Sequence, residues 1–263
     1  MSYCSPLRKN EIIVDENFRI DPLLDNTFGR GLFLRDYSES PFASGPTKPF
    51  DLQIIDPSEW KDRIREKDEK KTRNSDLADQ VGLKCKNQSN TNYCWINAPV
   101  YCYESARVQA GLPLVYFSPA SVGGPIKNYR NVGGWGSQGL EYMVAHGVVP
   151  ESLWPANAIS RQYYDETLEV RAKHKVSEFY DLEPRNWEQL ITCLLLNIPV
   201  AIGLNWWSHE VTAVDAVLMS NGDIGVRIRN SWGMEWGDDG YSVLVKSKAN
   251  PDDAVACPVV FAA

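Results

Sequence analysis

Apolar positions fall into two patterns along this chain, helical between residue 59 and Asn197 and strand-like after Pro199. Residues 59–73 are mostly charged, with Trp60 and Ile64 as a thin apolar stripe. That spacing predicts a helix capped by Ser58 with a solvated outer face. A second helix is predicted from Cys94 to about Gln109, ending before Gly111-Leu-Pro. A third opens at Ser137 as cap, carries Leu140, Met143 and Val144 on its apolar face, and stops at Gly147. A fourth spans Asn186 to Asn197, with Trp187, Leu190, Ile191, Leu194 and Leu195 on one side. Beyond Pro199, Val200–Leu204, Val211–Leu218, Ile224–Arg229 and Tyr241–Val245 read as strands, with Asn221-Gly222 as a hairpin turn. Helices early and antiparallel strands late predict an α+β protein of two lobes.

Residues 1–57 break this order. They hold six prolines and three glycines without periodicity, which predicts an extended Pro-rich arm ahead of a domain over 58–263. Leu32, Phe33, Leu34, Phe42 and Phe50 are too many apolar residues for a solvated tail. The arm is therefore expected to lie along the protein's own cleft, or on a partner or assembly.

Composition narrows the class. Across 263 residues, 43% hydrophobic and 23% charged is globular. A net charge of 27 − 34 = −7 argues against nucleic acid as partner. Neither a signal peptide nor a membrane-spanning run is visible, so the expected location is cytoplasmic, or inside a virion or other assembly. In that reducing setting the six cysteines are expected to be free thiols. Three histidines and no CxxC leave little for a zinc site.

A nucleophilic cysteine needs a stabilised thiolate, a proton-carrying base and donors for an oxyanion. Cys94 opens a predicted helix, where the macrodipole favours negative charge. Three further pieces accompany it: Gln88 six residues earlier with Trp95 directly after Cys94, Ser208-His209-Glu-Val-Thr-Ala-Val, and Asn230-Ser-Trp-Gly-Met-Glu-Trp-Gly-Asp-Asp-Gly-Tyr241. These resemble the papain-like cysteine peptidases of the C1 family, in residue type, spacing and chain order. Val132-Gly-Gly-Trp is similar to the family's substrate-binding glycine pair, here Gly133 and Gly134. The resemblance covers roughly residues 80–246.

It implies a two-lobed papain-like fold, with the nucleophile on a helical lobe and His/Asn on a β-barrel-like lobe. It implies an enzyme, a cysteine-type peptidase that hydrolyses peptide bonds of a polypeptide substrate through an acyl-enzyme, without metal or organic cofactor and without a membrane. Cys94 and His209 would form a thiolate–imidazolium pair, Asn230 would orient the imidazole, and Gln88 would help hold the oxyanion. Trp232 would shield the His–Asn bond, and Trp207 would line and narrow the specificity pocket.

The chain also departs from the family. Thr91 and Asn131 stand where a disulfide is usual, and Tyr93 replaces a small residue beside the nucleophile, which predicts a partly filled cleft. Glu210 follows the histidine and is expected to raise the imidazole pKa if close. No propeptide motif of the ExxxRxxxF type occurs in residues 1–80. The alternative reading is a papain-fold structural or assembly component with little turnover, attached through its arm.

Overall fold

The protein is described from a computed structural model over residues 3–21, 27–43 and 47–260, so the arm at 1–2, 22–26 and 44–46 lies outside the described residues. Eight strands form one mixed sheet: β1 (Ile12–Val14), β2 (Thr47–Pro49), β3 (Val176–Asp181), β4 (Val200–Leu204), β5 (His209–Leu218), β6 (Ile224–Arg229), β7 (Tyr241–Leu244) and β8 (Asp253–Val260). Their order across the sheet is β1-β7-β6-β5-β4-β8-β3-β2. The inner ladders are antiparallel, whereas β1 and β2 pair in parallel with β7 and β3 at the two edges. Both edge strands belong to the arm, which crosses from one sheet edge to the other and covers edges that would otherwise be open to pairing.

The helices are α1 (Trp60–Lys70), α2 (Asn74–Val81), α3 (Cys94–Gln109), α4 (Ala120–Ile126), α5 (Gly136–Ala145), α6 (Leu168–Arg171) and α7 (Trp187–Leu195). Two main cores result. One joins α1 and α7 to the strands through Trp60, Ile64, Leu190, Leu194, Trp207 and Trp232. The other packs α3 and α5 on the far side of β4 and β8 through Trp95, Ile96, Leu140, Met143, Ala201 and Val255. Helices gathered on a largely antiparallel sheet make this an α+β fold.

Several boundaries moved. Asp56, not Ser58, caps the entry to α1, because its side chain accepts the Ser58 N–H across a short 3-10 turn. Trp135 precedes α5, and Ser137 lies inside that helix with its hydroxyl on Ser40 Oγ at 2.7 Å. α3 runs Cys94–Gln109 and remains helical through Pro99. Neither β3 nor β8 was legible, since Asp253-Ala-Val-Ala-Cys-Pro is alanine-rich and interrupted by proline; pairing on both sides by β4 and β3 makes it a strand. Asn221-Gly222 sits in a loop of five residues rather than a two-residue turn, with Gly222 at φ +86°.

Candidate active site

Cys94 is the first residue of α3, where backbone N–H groups are unsatisfied and the helix field is positive. Its side chain is fully buried. The sulfur accepts the Gly31 N–H at 3.2 Å and takes further backbone N–H groups from Glu210 and Trp95. The nucleophile candidate thus abuts the residue after His209, across the junction of the two cores.

His209 opens β5 directly after a four-residue turn from β4. Its Nε2 lies 2.7 Å from Asn230 Oδ1, which also accepts the Ser231 N–H at 2.8 Å. An atom taking that N–H is the amide oxygen, so Nε2 donates and Nδ1 keeps the lone pair. Nδ1 is buried with no hydrogen-bond partner. Trp232 covers the imidazole at 4.9 Å between ring centroids, and Trp207 stands edge-on at 5.1 Å. Trp207 in turn packs on Trp232, Trp236 and the arm's Phe18. The structure therefore places Trp207 in the aromatic cover of His209.

Gln88 Nε2 donates to Thr91 O at 2.8 Å and to Gly29 O at 2.7 Å, while its Oε1 accepts from Ser231 Oγ. Gly134 makes a two-bond ladder with the arm: its N–H donates to Gly31 O at 2.9 Å, and its carbonyl accepts the Phe33 N–H at 2.8 Å. A Cβ on Gly133 would meet Gly31 O at 2.3 Å, and one on Gly31 would meet Asn92 O at 2.0 Å. Only glycine permits this approach of two backbones. Cys94, Gln88, Gly133 and Gly134 thus converge on one arm segment, 29–33, and the Glu210 contact joins them to the His209 strand.

The residues that sequence reasoning missed lie on that segment or just after it. Gly29 and Gly31 let the arm lie flush against residues 90–92, and Arg35 anchors it through a bidentate ion pair with buried Asp181 at 2.7 and 2.8 Å. Their trace in the sequence was Gly29-Arg-Gly31, two glycines closely spaced within an apolar stretch.

Two expectations are corrected by position, and the absent disulfide has a stand-in. Tyr93 does not fill the cleft: its ring packs against Gly123 and its hydroxyl donates to Arg130 O at 2.8 Å, inside the helical lobe. Where a disulfide was missing, Asn92 N–H donates to Asn131 Oδ1 at 2.6 Å and clasps the same two loops. Glu210 does not raise the His209 pKa. Adjacent residues on a strand face opposite ways, and burial pushes the imidazole down to about 4, with Asn230 opposing and Arg30 adding a smaller downward push. Burial likewise pushes the Cys94 thiol up to about 12, helped by the nearby Glu210 carboxyl and opposed by the three backbone donors. With the arm in place both groups favour their neutral forms.

All six cysteines are free. Among the described residues, no group of His, Cys, Asp or Glu is arranged to hold a metal, and no helix is long and apolar enough to cross a membrane.

No family model matches the chain. A curated relative, a cathepsin L-like proteinase of Fasciola hepatica, is 23% identical over a 190-residue alignment that covers 63% of this chain; the chain spans only 57% of that relative. Among solved structures, procathepsin B S9 of Trypanosoma congolense superposes with a TM-score of 0.60 at 14% identity, over 84% of both chains. Digestive procathepsin L 3 of Tenebrio molitor larval midgut gives 0.57 at 21% over 65% of both. Xylellain, a cysteine protease of Xylella fastidiosa, gives 0.57 at 18%, over 67% of this chain and 83% of its own. The helix that carries Cys94, the strand that opens with His209 and these neighbours agree: the chain has the fold of the papain-like cysteine proteases.

Proposed function

We propose that the protein is a cysteine-type peptidase of papain-like mechanism, held at rest by its own N-terminal arm. The observation that carries this reading is the His209 Nε2–Asn230 Oδ1 bond beneath Trp232, beside a cysteine at a helix N-terminus. That bond fixes the tautomer so that Nδ1 is the base. In turnover, Nδ1 would take the Cys94 proton, the thiolate would attack the scissile carbonyl, and the oxyanion would be held by Gln88 Nε2 and the Cys94 N–H. The imidazolium proton would then pass to the leaving amine, and water would release the acyl group.

The resting state follows from the same distances. The arm offers the sulfur an N–H at 3.2 Å, the wrong pole of a peptide for nucleophilic attack. The Gly29 carbonyl occupies the Gln88 amide. Desolvation under the arm keeps the thiol and imidazole neutral, and departure of the arm would admit water and favour the ion pair. The test is labelling of full-length protein with an epoxide or vinyl-sulfone probe, read by intact mass beside Cys94→Ala and a denatured sample. A single adduct at Cys94 that forms faster in Arg35→Ala is expected. Absence of any adduct in both backgrounds would sink the peptidase reading.

One observation favours a second reading, a catalytically silent module. The Arg35–Asp181 ion pair and the pairings of β1 with β7 and β2 with β3 tie the arm to the sheet at three places, and a permanently sealed cleft has no turnover. It predicts that Arg35→Ala exposes Cys94 to small alkylating agents without any gain in peptide hydrolysis.

A further inference from the structure

Away from the cleft, a groove of about 640 Å³ lies between the start of α1, the start of α7 and the turn that joins β5 to β6. Ligand sites usually have this form, with apolar walls and a few polar groups. Trp60, Trp187 and Ile224 supply the apolar lining here, and Lys61 and Lys246 stand beside them. Ser247 and Asn250 line this groove and also a second one of about 340 Å³, which carries Trp206, Lys248 and Arg185. The two grooves thus adjoin along the 3-10 turn Lys246–Ala249. Trp206 stacks on Trp207 with 5.3 Å between ring centroids. The track therefore runs from α1 to the outer side of the aromatic cover over His209.

Charge along this track runs against that of the chain. The protein carries a net −7, yet Lys61, Lys246, Lys248 and Arg185 face only Asp223 and Asp252 in the lining. Both carboxylates are engaged. Asp252 accepts from Arg185 at 2.6 Å and from the Asn205 N–H at 2.9 Å, and Asp223 accepts from the Asn221 amide at 2.7 Å. The three lysines make no ion pair among the described residues; Lys248 only rests its ammonium over the Trp206 ring at 4.1 Å. Trp206 Nε1 and Asn250 Oδ1 also lack partners. One acidic side chain already lies at the junction of the grooves: the arm's Glu16 accepts from Ser247 Oγ at 2.5 Å. Two residues later, Phe18 packs edge-on against Trp207. From the chain itself, this surface accepts a carboxylate followed closely by an aromatic ring.

We propose that the track is a docking site for an acidic segment of a partner polypeptide, its carboxylates on Lys61, Lys246 and Lys248 and an aromatic side chain against Trp60 and Trp187. Lysines without an acid of their own attract such a segment with no ion pair to break first. The apolar lining favours a polypeptide over a sulfated polysaccharide, which has no comparable side chain to bury. The site lies outside the cleft and stands whether or not the protein is a peptidase.

The test measures binding of a fluorescent peptide of Glu and Asp with one central Phe to full-length Cys94→Ala protein, by anisotropy. Saturable binding is expected. The combined variant Lys61→Glu, Lys246→Glu, Lys248→Glu should weaken it by about tenfold or more and should prefer a peptide in which Lys replaces each acid. If that variant does not fold, Lys61→Glu and Lys246→Glu taken singly should each cost about threefold. Exchanging the peptide's Phe for Ser should weaken binding about fivefold, because the apolar lining then has nothing to bury. No saturable binding, undiminished binding by the charge-reversed proteins, or equal binding of the Phe and Ser peptides overturns the proposal. Binding of heparin through the same lysines without binding of the peptide overturns it as well. Because Cys94 is absent from the protein tested, a failed peptidase reading and a failed docking site remain distinct results.

Discussion

His209 and Glu210 are neighbours on one strand, both buried, and live in opposite chemistries. His209 faces Trp207 and Trp232 and has one satisfied nitrogen. Glu210 faces a glycine notch beside Asp253 and has one bare oxygen. Burial disfavours charge in both, lowering the imidazole pKa and raising the carboxyl pKa. The lesson is that the two faces of β5 divide the work. The aromatic face is a mount whose rings pack on one another, and the acidic face carries a buried carboxyl with one oxygen unpaired.

That division is broken most strongly by chemistry. In an Arg35→Ala background, Cys94→Ala should cut hydrolysis of a fluorogenic peptide by roughly 10⁴-fold or more. Glu210→Gln should leave kcat within about threefold, because its carboxyl lies on the face of β5 opposite His209. A comparable collapse from Glu210→Gln would place it in the catalytic machinery and erase the contrast. Next in size, Trp207→Ala opens a cavity in the aromatic face and should cost about 3–5 kcal/mol, read by denaturant or thermal unfolding. Arg35→Ala strands buried Asp181 and should cost about 3 kcal/mol, with faster labelling of Cys94 as its signature.

The two residues also oppose each other with pH. His209, at about 4 when folded against an ordinary 6.5, contributes stability present above pH 6.5 and lost as pH falls toward 4, up to about 3 kcal/mol. Glu210, raised above 4.5, contributes stability present below pH 4.5 and lost as pH rises toward its folded value. Glu210→Gln should therefore stabilise the protein more at pH 8 than at pH 4, whereas His209→Gln should flatten the rise between pH 4 and 6.5. Unfolding free energies across that range measure both. The smallest effect expected is that of Asn131→Ala, about 1 kcal/mol, because it removes one exposed loop clasp and touches neither face.

The sequence by itself determined the elements with strong local signals: α3 from Cys94, α7 with its single apolar face, and β4 to β7 with their β-branched runs. It also carried the chemistry-bearing residues, because Gln88, Cys94, His209 and Asn230 sit in motifs with fixed spacing. Only the tertiary structure decided what surrounds them. β8 exists because β3 and β4 pair with it, and a proline-broken alanine run announces nothing of that kind. Arm segments far apart in sequence from their partners became edge strands and a cover over Cys94 through contacts that no local period encodes. Glu210 was visible as a charge beside a histidine, and the alternation of the strand sent it to the other face. Its meaning came from Gly203 and Asp253, brought beside it by pairing alone. Local propensity acts over a few residues, whereas burial, and with it the charge state of Cys94, His209 and Glu210, is set by whatever the fold lays over them.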